Sequence, residues 1–160
     1  MRGLLLASAI AMALVTSASA QEDYRRQVLG YLEHGLERHA AAGYAAERTV
    51  PDLITPLELG RPYLWSVYLL AGVNYRVYGA CDDDCSDLDM EIYGADGDFA
   101  ERDDARDDTP YVQITPASTG RHYVRLWLYA CAAEPCYIAA RVVSGGRPTE
   151  RAAETAEQTR

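Results

Sequence analysis

The sequence predicts an all-β protein, an antiparallel jelly roll or β-sandwich of about seven strands led by an amphipathic helix. Three observations point there. From Tyr63 onward apolar residues recur at every second position in short runs divided by turn-forming residues. Twelve Tyr and two Trp stand against a single Phe, an aromatic set suited to strands, where the ring packs and the hydroxyl reaches a partner. The four cysteines fall in two close pairs, Cys81/Cys85 and Cys131/Cys136, between predicted strands.

Taken in chain order, Arg2, the apolar run Leu4 to Val15 and the small-x-small triplet Ala18-Ser19-Ala20 form a secretory signal over residues 1–20, with cleavage expected before Gln21. No cysteine lies at that junction to carry a lipid, and no later segment is apolar for long enough to anchor the chain in a membrane. The expected location is therefore the periplasm or the exterior. Residues 21–46 hold a helix, with Tyr24, Val28, Tyr31, Leu32, Leu36 and Ala40 on one stripe and Gly43 as its stop. Residues 47–62, with Pro51, Pro56, Gly60 and Pro62, form a connector.

The sandwich spans residues 63–144. Its strands are Tyr63–Leu70, Val73–Ala80, a segment alternating Leu88, Met90 and Ile92 with Asp87, Asp89 and Glu91, a return strand from Phe99, Tyr111–Thr115, Arg121–Ala130 and Cys136–Val143. Ala95-Asp96-Gly97 marks a hairpin turn. Residues 145–160 are a polar tail.

After export, an even number of cysteines in a small domain reads as disulfides. Three pairings are open, of which the two local ones are favoured; a four-thiolate zinc site fits the spacings poorly. The net charge is −9, and it is concentrated. Residues 82–108 hold thirteen Asp or Glu against Arg102 and Arg106. A patch of that sign repels phosphate backbones, which argues against a nucleic-acid partner. All fifteen basic residues are Arg, which base composition explains.

The run Asp87-Leu88-Asp89-Met90-Glu91-Ile92-Tyr93-Gly94-Ala95-Asp96-Gly97 resembles the signature of bacterial pre-peptidase C-terminal (PPC-like) domains. The likeness continues through Asp107-Asp108-Thr109-Pro110, Ile114-Thr115-Pro116 and Thr119-Gly120-Arg121-His122-Tyr123-Val124-Arg125-Leu126, and covers residues 60–144. The resemblance implies an exported jelly-roll sandwich, an accessory to secreted hydrolases with links to polymer binding and calcium. The leading helix and the cysteine-bracketed loops depart from that pattern, and the expectation is a sandwich without an attached catalytic domain.

Two segments carry candidate sites. A two-residue loop at 96–97 places Asp89 opposite Asp104, Glu91 opposite Arg102 and Asp87 opposite Arg106. A four-residue loop at 94–97 instead pairs Ile92 with Phe99 and sets Asp87 opposite Asp104. Like charges directly opposed destabilise a sheet unless something neutralises them. Asp82, Asp84, Asp87, Asp89, Asp104 and Asp107 are the oxygen ligands a calcium ion would use. The competing reading is a solvated face that blocks edge-to-edge pairing.

In the strand 121–130, Tyr123, Arg125, Trp127 and Tyr129 share one face. They read either as a binding platform or as the surface on which the helix docks, and the second is favoured. His34 and His39 are five residues apart and point to different helix faces. Neither a G-x-S-x-G nor an H-E-x-x-H pattern occurs. The expectation is a non-catalytic binding module for a protein or polysaccharide partner. The alternative is a structural subunit of an envelope or surface assembly, docked through its N-terminal helix.

Overall fold

A computed structural model describes the backbone of residues 4–145 and the side chains of residues 21–145. Most of the predicted polar tail therefore lies outside the described residues. One helix precedes nine strands: α1 (Leu4–Ala41), β1 (Tyr44–Ala46), β2 (Leu53–Leu57), β3 (Tyr63–Leu69), β4 (Tyr75–Cys81), β5 (Cys85–Tyr93), β6 (Phe99–Asp103), β7 (Tyr111–Ile114), β8 (Gly120–Cys131) and β9 (Cys136–Gly145). They form a sandwich of two antiparallel sheets. The first sheet runs β1-β9-β4-β7, with β2 pairing β9 as well; the second runs β3-β8-β5-β6. The all-β expectation holds, and its seven strands are β3 to β9.

Two strands go beyond it. Tyr44–Ala46 lies at the end of the N-terminal segment, just past the expected helix stop at Gly43, and Leu53–Leu57 in the segment expected to be a connector. Both pair with the edge of β9 that β4 leaves free. Pro56 sits inside β2 because an edge strand can spare a backbone donor. Its neighbours Leu53 and Leu57 are buried, and they hold the strand in place.

The core between the sheets follows the alternation. Val67 and Leu69 of β3, Leu88, Met90 and Ile92 of β5, and Val124, Leu126 and Leu128 of β8 face Val77 of β4, Val112 of β7 and Ile138, Ala140 and Val142 of β9. The free edge of β7 is protected by its neighbour. The backbone N–H groups of Tyr111 and Gln113 donate to the Asp103 and Glu101 carboxylates.

The local cysteine pairing is the one found: Cys81–Cys85 and Cys131–Cys136. Cys85 lies opposite Cys131 in the second sheet, while Cys81 and Cys136 belong to the first. Each disulfide therefore clamps a connection that crosses from one sheet to the other, and both lie at the same end of the sandwich.

The helix runs from Leu4, so α1 continues through the expected signal segment. It stops at Gly43, whose φ of 88° is open to glycine at no steric cost. Its docking corrects the expectation that it covers Tyr123, Arg125, Trp127 and Tyr129. Val28 and Leu32 instead pack with Tyr44, Tyr78, Tyr137, Ala139 and Val143, on the outer face of the first sheet. Connectivity explains this choice. Only Ala42 and Gly43 separate α1 from β1, and β1 pairs with β9, so the helix turns directly back over β9 and β4.

Gly35 completes the seat. A Cβ there would stand 2.6 Å from the Tyr78 ring, and the Tyr78 hydroxyl donates to the Leu32 carbonyl at 2.8 Å. His39, not Ala40, ends the buried stripe.

Candidate functional site

The outer face of the second sheet carries no covering element among the described residues. Directly opposed residues of a sheet share a face, so the register sets its rows. One row reads Leu64, Arg125, Glu91, Arg102 across β3, β8, β5 and β6; the next reads Ser66, Tyr123, Tyr93, Phe99. In a third, Asp89 faces Trp127. Met90 opposite Asp103 and Glu91 opposite Arg102 realise the first of the two hairpin registers, with a shift between Ile92 and Tyr93.

Glu91 ties this face together. It is 1% exposed. It accepts from Tyr93 Oη at 2.6 Å, from Arg125 Nη1 at 3.1 Å and from Arg102 Nε at 2.8 Å. Desolvation alone would push its carboxyl up, but these donors outweigh it and hold Glu91 below the ordinary carboxylate range. The Arg125 guanidinium then lies over the Trp127 ring, 4.7 Å from its centroid.

Beside that knot opens a cleft of about 330 Å³ lined by Asp87, Asp89, Asp104, Arg106, Trp127 and Tyr129. A bulge shapes it. Leu88 pairs with Leu128 but Asp87 pairs with Ala130, which leaves Tyr129 without an opposing residue and 65% exposed. Asp89 is 5% exposed, and burial raises its carboxyl to about 6, helped by the charges of Asp87, Asp104 and Asp103 and opposed by the Trp127 N–H. Asp87 is 7% exposed and is also pushed up by burial, with Arg106 working against the shift. Among the described residues no donor hydrogen-bonds the Asp87 carboxylate. The acidic side of β5 is thus buried rather than solvated: Arg102, Arg125 and Trp127 lie alongside it.

The six carboxylates considered for calcium are divided between two places. Asp82 lies beneath the Cys81–Cys85 loop, where its Oδ2 accepts from the Tyr137 N–H at 2.6 Å and burial raises its carboxyl. Asp84 accepts from Tyr24 Oη at 3.2 Å, and Asp83 beside it takes donors from Gln27 and Tyr31. This loop is a clasp for α1. Asp107 closes a turn by accepting from the Thr109 N–H at 2.9 Å. Only Asp87, Asp89 and Asp104 reach the cleft. Among the described residues no group of three or more His, Cys, Asp or Glu is arranged to hold a metal ion.

Tyr123, Arg125, Trp127 and Tyr129 do share one face, half-buried to exposed. The residue that sequence reading left without a role is Glu91. The first hairpin register had already set it opposite Arg102, but its second guanidinium, from Arg125, comes through the β5–β8 pairing, which no local pattern announces. No protein family matches the chain, and no curated protein matches it. No helix among the described residues is long and apolar enough to cross a membrane.

Proposed function

We propose that the protein is a non-catalytic, exported binding module whose working surface is the open outer face of the second sheet. The observation that carries this reading is the cleft at the Tyr129 bulge, where two carboxylates more than nine-tenths buried meet two aromatic rings on a face that no described element covers. Burying a carboxylate without a hydrogen-bond donor, as at Asp87, costs stability, and such groups concentrate where a fold acts on something else. Polymer chains are the ligands this surface suits. Trp127 and Tyr129 offer stacking area, while Asp87, Asp89 and Asp104 accept hydrogen bonds from hydroxyl or amine groups.

Export rests on the signal-like residues 1–20, and the two disulfides agree with an oxidising compartment such as the periplasm or the exterior. The likeness of residues 60–144 to PPC-like domains belongs to the same reading, since such domains accompany polymer-degrading enzymes. A non-catalytic role fits the side chains at hand. All four cysteines are oxidised, and His39 of α1 is buried against the first sheet, on the far side of the sandwich from the cleft. The alternative of a subunit docked through its N-terminal helix loses its apolar stripe, because Val28 and Leu32 are already spent on the first sheet.

The test is retention on insoluble polysaccharides and cell-wall polymers, comparing the protein with its Tyr129→Ala and Trp127→Ala variants. Retention on one polymer that both variants lose, at unchanged melting temperature, supports the module. Equal retention by all three proteins, or no retention on any polymer, overturns it.

A further inference from the structure

We propose that the cleft between Asp87, Asp89, Asp104, Trp127 and Tyr129 is a subsite for an amino sugar carrying a free, protonated amine. This deepens the binding-module reading and rests on it.

The argument starts from charge. Three carboxylates and one guanidinium line the cleft, and the guanidinium, Arg106, belongs to an exposed residue on its rim. The cleft is therefore a place of negative potential walled by aromatic rings, which favours a cation. A bare metal ion is the wrong cation. Calcium takes six to eight oxygens converging on a point, and no such convergence exists among the described residues. An ammonium group suits spread acceptors, since its three N–H donors diverge and its carbon frame fills the space between them.

The second observation is Asp87. It is buried to more than nine-tenths, lines the cleft, and accepts no hydrogen bond from any described residue. Its neighbour Asp89 already has the Trp127 N–H. One acceptor is thus satisfied from within and the other is left for a donor from outside. Burial without a hydrogen-bond donor disfavours the charged Asp87, Arg106 offsets part of that cost, and a charge-assisted hydrogen bond from a ligand would offset more.

The aromatic pair selects the frame that carries the amine. The Arg125 guanidinium covers one part of the Trp127 ring, and Tyr129 stands out at the bulge on the cleft's rim. A pyranose ring presents flat C–H faces to such rings, and its hydroxyls use the remaining carboxylate oxygens, as Asp104 provides. A cleft of about 330 Å³ has room for one sugar unit and stays open to a chain continuing along the face.

The experiment follows the Trp127 indole N–H in a two-dimensional proton–nitrogen spectrum of the disulfide-bonded protein, assigned with a Trp65→Phe variant. The probes are glucosamine, N-acetylglucosamine, glucose, n-butylamine, lysine and calcium chloride at neutral pH. Glucosamine is expected to move the Trp127 peak saturably, with an apparent affinity at least tenfold tighter than glucose or N-acetylglucosamine. Asp87→Asn and Asp89→Asn should each weaken it at least tenfold while the melting temperature holds or rises.

An equal response to N-acetylglucosamine overturns the role of the charge. An equal response to n-butylamine or lysine overturns the sugar and leaves an amine site of the kind a lysine side chain fills. A response to calcium alone overturns the inference in favour of a metal. If no probe moves the peak although Trp127-dependent retention on a polymer persists, the subsite fails while the binding module stands; if both vanish, the larger reading falls too.

Discussion

The outer faces of the two sheets are built from similar residues and end in opposite states. The first sheet presents Tyr44, Tyr78 and Tyr137 with Arg76 and Arg141; the second presents Tyr93, Tyr123 and Trp127 with Arg102 and Arg125. On the first, α1 closes over the tyrosines, and Arg141 is held charged above its ordinary range by Asp52 and by Glu33 of the helix. Arg76 is sandwiched between the Tyr44 and Tyr111 rings at 4.5 Å from each. On the second, Glu91 gathers two arginines, but Leu64 and Tyr129 stand in the open and Asp87 has no hydrogen-bond donor among the described residues. Tyr/Arg composition does not decide which face is covered. A chain connection of two residues does.

The largest expected effect tests that contrast directly. Leu32→Ala removes a fully buried side chain from under the helix and should cost about 2–5 kcal/mol in denaturant unfolding. Leu64→Ala on the open face, where Leu64 is 59% exposed, should stay within about 0.5 kcal/mol. Equal losses would mean that something covers the second face as well.

A smaller effect lies in the pH dependence of the covered face. His39 is packed on Tyr78 and beside Arg76 and Arg38, and burial followed by these positive charges lowers it from 6.5 to about 4. A folded value below the unfolded one means the neutral ring stabilises the fold. That contribution is complete above pH 6.5 and is lost as pH falls towards 4. Discounted for partial solvent access, it amounts to about 2–3 kcal/mol. His39→Gln keeps an acceptor for Arg76 and should flatten the slope of unfolding free energy over that window; an unchanged slope would locate the titration elsewhere.

Much of this fold was readable in the sequence because its signals are local. Alternation located β3 to β9, and the spacing of Cys81/Cys85 and Cys131/Cys136 favoured the pairing found. What was not readable depends on contacts between distant segments. β2 reads as a connector because Pro51 and Pro56 are breakers in isolation, and it becomes a strand only when the edge of β9 is there to pair. Asp82 and Asp84 read like ligands, yet Asp84 and its neighbour Asp83 serve as acceptors for Tyr24, Gln27 and Tyr31 of a helix whose seat was expected on the other sheet. At the cleft, Asp87, Asp89 and Asp104 were marked as candidates, and of the two registers considered the ladder follows the one that set Asp89 opposite Asp104, though it ends one pair short, at Met90 and Asp103. Their burial did not follow, because it is supplied by the β8 row from Arg125 to Tyr129 across a pairing of strands far apart in sequence.

The smallest of the three effects concerns the open face and has the opposite sign to that of His39. Asp89 sits against Asp87, Asp103, Asp104 and the Trp127 N–H, and its folded value of about 6 lies above the ordinary 3.8. The protonated form is thus the one the fold prefers. Asp89 contributes stability below pH 3.8 that is lost as pH rises through 6, so above pH 6 its charge is a standing cost. Asn keeps an acceptor for the Trp127 N–H and removes that charge. Asp89→Asn should therefore be more stable than the wild type at pH 7.5, by about 1–2 kcal/mol after discounting for the open cleft mouth. The gain should fade to nothing by pH 4, measured in a His39→Gln background so that the two titrations do not overlap. A variant less stable at every pH would show the carboxylate to be structural. A stabilised variant that no longer binds would show that the fold gives up stability at this face, and not under the helix, because only this face meets a ligand.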